Sequence, residues 1–477
     1  MPTRPLPAQP LPDRPDPDHL RRQARTLQRA VRAGDPDAAA RVEQRLPGGL
    51  PADRSEFGLS EAQLVLAREY GFPSWPRLKA YLRTLADFRW DALPEPADQD
   101  VAGRFTALAC LSYTDSDGPE RWQQARALLA GHPDLTGTDI WAAATANDLA
   151  AVRRLLAADP SLARRRGGSN RWTPLFHLCY SRLDPDVGED QVLEIARLLL
   201  EAGADPNEGY LWQGGTYLFT LLTGVFGEGE QGPVRQPRHP HSLALARLLL
   251  EAGADPVDDQ ALYNRIFRPD DDHLELLLEF GLARGDRPGP WRERMIDRHA
   301  DPAQKLRFQV RWAIEHGFDR RVRLLAEHGV DLVTPFADGR TPLALADLYG
   351  GPEVVRALRD AGVADGRSQG DSPVDRVIAA AFRGDRTAVR ALLREDPGLG
   401  DRLRRRPGLL TWAAAGPDRV ETVRLLVEAG VDVNGLGRGD RPVDTSWAET
   451  WSGDLQPAEA FGHTALHEAA YRGDVEL

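Results

Sequence analysis

Residues 196–206 read ARLLLEAGADP, and residues 246–256 read ARLLLEAGADP again, without a difference. Shorter forms of the same ending recur: LLLEFG from Leu276, LLAEHG from Leu324, ALRDAG from Ala357 and LLVEAG from Leu425. A variant appears twice, as LLAADPSLA from Leu155 and LLREDPGLG from Leu392. From Leu324 to Ala357 is 33 residues, from Ala357 to Leu392 is 35, and from Leu392 to Leu425 is 33. Similarity at a fixed step of this size is the mark of a repeat architecture. The paired leucines read as the inward face of a helix. Gly203, Gly253, Gly281, Gly329, Gly362 and Gly430 follow its last turn, where a left-handed residue is wanted. Asp205-Pro206 and Asp255-Pro256 then open an extended turn, because proline stops the helix.

A second helix-start signal lies upstream of these endings. Thr173-Pro174-Leu175, Thr341-Pro342-Leu343 and Thr464-Ala465-Leu466-His467 place a capping threonine before an apolar run, in two cases with proline at the first helical position. Asn147-Asp148, Gly384-Asp385 and Gly473-Asp474 read as turns between paired helices. With both halves of the unit present at the right distance, residues 139–477 resemble the ankyrin family, whose unit of a β-turn and two antiparallel helices has a period of about 33 residues. The resemblance implies an all-α solenoid of some seven to nine units. Its concave face, made of turn tips and first helices, is the family's usual partner-binding surface, although fold alone does not name the target.

Three departures stand out. The step from Leu198 to Leu248 is 50 residues, one unit plus an insertion at 208–242 that holds Tyr210, Trp212, Tyr217, Phe219 and Phe226. A second insertion at 435–461 carries Trp447 and Trp451. Insertions in a solenoid map to loops on one face, often the binding face, so Tyr210, Trp212, Tyr217, Phe226, Trp447 and Trp451 are the candidate partner-binding residues. The plainer reading is that these aromatics cover an irregular joint. Finally, aligning Thr464 on Thr341 sets Leu477 level with Val354, so the last unit is expected to be incomplete and the chain a fragment.

Residues 1–17, rich in proline, are expected to form a solvated tail. Residues 18–86 read as a helical region. His19 to Leu46 is amphipathic and broken near Gly34-Asp35-Pro36, with Arg21, Arg22, Arg25, Arg29 and Arg32 on the polar side. Ser60 to Gln63 has a capping-box pattern, and Ser74 is expected to cap a following helix. A helix-turn-helix can read DNA, but Arg77, Lys79 and Arg83 are a thin basic surface. A similar segment precedes the repeats in bacterial members of the family, which makes an N-terminal cap the simpler role. Two further helices are expected in the lead-in at 87–135.

The net charge of −12 disfavours nucleic acid as a partner. Lys79 and Lys305 are the only lysines, and genome composition accounts for the arginine excess more simply than selected phosphate contacts. Cys110 and Cys179 have no C-x-x-C spacing, which argues against a disulfide framework or structural zinc. No apolar run approaches the ~20 residues of a membrane helix, and a cytoplasmic protein is expected. No Walker loop, G-x-S-x-G or H-E-x-x-H is present. Asp270-Asp271-Asp272-His273 has cation-binding chemistry but also suits a helix start. His239-Pro240-His241 lacks a third ligand at metal spacing. His177, His328 and His467 occupy repeat positions. Arg164–Arg166 and Arg404–Arg406 both follow the Asp-Pro-x-Leu ending, which suggests a shared surface stripe.

The reading is a non-catalytic scaffold with no cofactor and a protein partner, of undetermined oligomeric state. The alternative is a small-molecule or peptide sensor with a pocket formed by the 208–242 insertion. A DNA-associated regulator acting through 18–86 is the third.

Overall fold

The computed structural model describes residues 11–12, 15–46, 48–91, 100–215, 217–229, 231–285, 289–295, 301–336, 340–364, 373–406, 408–415, 419–436 and 464–476. Most of the tail expected at 1–17, and all of the 437–461 stretch with Trp447 and Trp451, lie outside them. Helix outweighs strand by 62% to 3%, in keeping with the all-α expectation, and three short strands form one small sheet. The chain divides into two compact units, Met1–Asn264 with Pro288–His299, and Arg265–Arg287 with Ala300–Leu477. The division falls inside the expected repeat array, at neither 86 nor 135.

In the first unit, α1 (Pro17–Arg32) and α2 (Pro36–Arg45) break at Gly34, whose φ of +86° is left-handed. Asp16 and Asp35 cap them through their carboxylates. Leu20, Ala24, Leu27 and Val31 form a buried stripe at helical spacing, packed on α3 (Leu59–Glu69). The helix starts two residues before the expected Ser60, without a reciprocal capping box. Gly58 is the N-cap, and its N–H donates to the Glu61 carboxylate at 2.6 Å. Ser74 caps α4 (Trp75–Asp87) as expected, accepting from the Arg77 N–H. After β1 (Arg89–Trp90), helices α5 (Val101–Ala109) and α6 (Pro119–Gly131) supply the lead-in pair.

Helix pairs follow: α7 (Ile140–Thr145) with α8 (Leu149–Ala158), then α9 (Pro174–Tyr180) with α10 (Glu189–Glu201). After the hairpin of β2 (Gly209–Trp212) and β3 (Leu218–Thr220) come α11 (Leu221–Phe226), α12 (Ser242–Glu251) and α13 (Asp259–Asn264). First helices pack on first helices, α7 on α9 on α11, and second on second, α8 on α10 on α12. Thr173 caps α9 through the Phe176 N–H, as its sequence context predicts. Gly203 and Gly253 take φ of +93° and +102° after the second helices. Asn207 then reaches across, its amide donating to Gly253 O and its oxygen accepting from Asp255 N–H, so one turn is tied to the next.

The second unit repeats the plan with α14 (Asp272–Glu279), α15 (Pro302–His316), α16 (Asp319–Glu327), α17 (Pro342–Leu345), α18 (Gly351–Asp360), α19 (Pro373–Phe382), α20 (Arg386–Glu395), α21 (Leu409–Ala414), α22 (Val420–Glu428) and α23 (Ala465–Arg472). Thr341 and Thr464 cap α17 and α23. A π turn, Ala346–Gly350, extends α17. Gly329, Gly362 and Gly430 are left-handed at the helix ends.

Within each unit, neighbouring helices are clipped by ion pairs: Arg153 to Glu194, Arg320 to Glu275, and Arg386 to Glu421. At exposed sites each contributes at most about 1 kcal/mol.

Candidate interaction site

The 208–242 insertion begins as a hairpin. β2 pairs antiparallel with β3 and parallel with β1, with Leu211 opposite Arg89 and Trp212 opposite Trp90. Because side chains alternate across a strand, the hairpin has two apolar faces. Leu211 and Leu218 enter a cluster with Leu78, Tyr81, Leu82 and Trp291 from the N-terminal helices and the short helix Pro290–Arg294. Tyr210 and Phe219 face the other way, onto the first helices. The hairpin is therefore an internal layer between the N-terminal region and the repeat helices.

The opposite face is a continuous aromatic core. Tyr210 stacks on Trp172 (5.4 Å, 10°) and on Phe219 (5.4 Å, 4°), and Trp90 lies 4.9 Å from it. Phe176 and Tyr180 of α9 stack at 4.5 Å, and the Tyr180 hydroxyl donates to Thr220 O. Gly224 of α11 makes this packing possible, since a Cβ there would lie 2.1 Å from the Tyr180 ring.

Two buried carboxylates lock the helix starts. Glu208 accepts from the Thr173 hydroxyl and pairs with Arg166, while Asp258 accepts from the hydroxyls of Thr220 and Thr223. Burial pushes both carboxyls above the ordinary range, against the hydrogen bonds that favour their ionised forms. Each acid follows its threonine by one repeat step or slightly more, so consecutive units are joined through the cap itself. Arg182, also buried, donates to the carbonyls of Pro237, Gly224, Cys179 and Ser181 and holds the loop after α11. Burial lowers it to about 10.

The expected site residues thus separate. Tyr210 (4% exposed) and Phe226 (0%) are core, which corrects their assignment to a partner-binding face. The Tyr210 ring packs on Trp172 and Phe219. Trp212 is half-buried and Tyr217 is 39% exposed at the hairpin tip, beside Gln213, whose φ of +53° forms the turn. Trp141, not among the expected residues, is half-buried on α7; its indole N–H donates to Arg165 O at 2.9 Å and its ring covers Gly167. A lone tryptophan at the start of a first helix carries no signal distinguishing it from a core residue.

The other candidate clusters resolve into local structure. Cys110 Sγ lies 3.7 Å from His177 Nδ1, but burial raises the thiol to about 12 and lowers the imidazole to about 4. Both are neutral near pH 7, so the contact is packing rather than a thiolate–imidazolium pair. His239 is buried and accepts from the His241 N–H, while His241 meets Val187 O at 2.6 Å. The three aspartates at 270–272 are held by guanidiniums: Arg265 meets Asp270 and Asp272, and Arg321 meets Asp271. Among the described residues no group of acid, His or Cys side chains has metal-binding geometry.

The arginine triplets are not a free stripe. Arg166 pairs with Glu208 and Arg406 with Asp375, while Arg164 and Arg404 lie beside Gly203 and Gly430. The two variant turns are one design used twice. No described helix is long and apolar enough to cross a membrane. A scan of family models finds none that matches this chain, and no curated protein matches it either.

Proposed function

We propose that the chain is a non-catalytic, ankyrin-type scaffold that holds a protein partner against the turn tips of its repeat helices. The observation that carries this reading is the recurring unit: a capped first helix, a second helix closed by left-handed glycine, and a turn tied to the next turn by Asn207. Rigid tips joined side to side are suited to presenting contacts without an ordering cost on binding. On this reading the first unit meets its partner through the rim of the aromatic core, where Trp212, Tyr217 and Trp141 keep exposed surface. Aromatic side chains of this kind supply much of the energy at interfaces. The sealed Cys110–His177 contact supports a structural rather than a catalytic role for those groups.

The test is affinity capture of the full chain from its native lysate, beside the double variant Trp212→Ala/Tyr217→Ala. A stoichiometric protein retained by the natural chain and lost from the variant is the expected result. A variant that melts like the natural chain and captures the same protein equally would overturn the placement of the site. Capture of no stoichiometric protein by either chain would overturn the scaffold reading.

A further inference from the structure

The acidic chain has a basic end. Residues 18–86 hold twelve basic and eight acidic side chains in a protein of net charge −12. The excess lies on α1, with five arginines to one aspartate, and more thinly on α4, with Arg77, Lys79 and Arg83. Arg21, Arg25, Arg29 and Arg32 follow one another at steps of four, four and three along α1, and all are exposed. Arg54 extends the line, its guanidinium lying beside Gly34. At 1.5 Å per residue the ridge from Arg21 to Arg32 is about 16 Å long.

Several arginines elsewhere are treated differently. On the repeat helices, Arg153, Arg320, Arg386 and Arg390 each meet a glutamate of a neighbouring helix. On α1, Arg21 pairs with Asp18 and Arg22 with Asp16. Arg25, Arg29 and Arg32 meet no carboxylate among the described residues. Arg29 contacts the Thr26 hydroxyl and Arg32 the Phe57 carbonyl, which orients these two without neutralising them.

We infer that this ridge is a docking surface for an acidic segment of a protein partner. Charge, exposure and pairing carry this inference, independently of the repeat reading and of the aromatic rim. A membrane surface fits less well. The apolar stripe of α1 is sealed inside, with Leu20, Ala24, Leu27 and Val31 between 0% and 2% exposed, so the helix has no face to insert. A nucleic acid fits less well with a chain of net charge −12, since its long charged backbone needs more cations than this short ridge offers. A short acidic segment matches the ridge in length and feels mainly its local field.

The experiment is fluorescence anisotropy of a labelled deca-glutamate peptide with the full chain at low and physiological salt. It is run beside Arg25→Glu/Arg29→Glu and the charge-matched control Arg77→Glu/Arg83→Glu on α4. Binding that weakens about tenfold in the α1 variant, stays within twofold in the control and falls with salt is expected. Circular dichroism checks folding, and Arg25→Gln/Arg29→Gln serves as the second variant if the glutamates unfold α1. Equal loss in both variants would reduce the ridge to diffuse attraction and overturn the inference. So would no binding by the natural chain at low salt, or stronger binding of a ten-nucleotide oligothymidine than of the peptide.

Discussion

Tyr180 and Tyr349 stand at the ends of corresponding first helices in the two units, and around them the chain builds two different cores. In the second unit, Tyr349 closes with Phe382 (5.4 Å) and Trp412 (4.2 Å), and Arg419 lies 4.9 Å over the Phe382 ring while donating to Tyr349 O. Three rings and one guanidinium from the repeat helices suffice. In the first unit Tyr180 meets Phe176, Trp172, Tyr113 and Tyr210 of the hairpin, and Tyr210 in turn meets Trp90 of β1 and Phe219. Arg182, the buried guanidinium there, donates to backbone carbonyls, including those of Gly224 and Pro237. The inserted hairpin therefore sits where the first-helix face of this unit has aromatic rings left to cover. The hairpin in turn carries the N-terminal helices on its other face.

The largest expected effect comes from breaking the inserted layer. Tyr210→Ala should destabilise the first unit by about 4 kcal/mol, the range for emptying a buried aromatic site. Hydrogen exchange should speed up in α4 as well as α9, because the hairpin joins their two clusters. Trp412→Ala should leave those helices protected and act on the second unit only. Loss of α4 protection in Trp412→Ala would erase the distinction between the two cores.

Acid should act on the aromatic core next. Burial holds the folded-state His177 imidazole at about 4, below its ordinary 6.5. The unfolded state thus binds the extra proton first, and this stability is full above pH 6.5 and is lost as pH falls toward 4. The difference amounts to about 3 kcal/mol at most. Urea unfolding of the natural chain and of His177→Gln between pH 4 and 7 reads it as the pH-dependent part of their difference. His239, also held down by burial, acts in the same direction in both proteins. Curves that stay parallel across the window would show that His177 is not sealed.

Gly224→Ala probes the close approach between α11 and Tyr180. A methyl 2.1 Å from the ring must displace it, at a cost of about 2 kcal/mol, readable as a lower urea midpoint. An unchanged midpoint would mean the core yields more easily than its stacking implies. The smallest effect belongs to the helix clips. Arg153→Ala and Arg386→Ala should each cost about 0.5 kcal/mol, fading in high salt. A larger, salt-resistant loss would give these pairs a role that exposed ion pairs do not ordinarily have.

Much of this architecture is local and therefore readable in one dimension. Helix ends, caps and turns depend on residues a few positions apart, so Thr173, Thr341, the glycines at 203, 253 and 430 and the break at Gly34 announce themselves. The cap expected at Ser60 slipped by two residues because a Glu at the third position also serves a glycine cap. The repeat spacing was legible for the same local reason. The site was less so: Trp212 and Tyr217 keep exposed surface, while Tyr210 and Phe226 in the same short insertion are core.

What the sequence determined by itself is the helix pairs, their period and the charge contrast between α1 and the rest. Only the tertiary structure decided which aromatics face inward. Five aromatics spread over residues 210–226 show no preference until a second surface is present to cover one side, and here two surfaces cover both. The Thr–acid locks, Glu208 on Thr173 and Asp258 on Thr220, were invisible for a related reason. Their partners lie 35 and 38 residues apart in sequence, and a carboxylate is retained in a buried place only when folding brings a donor to it.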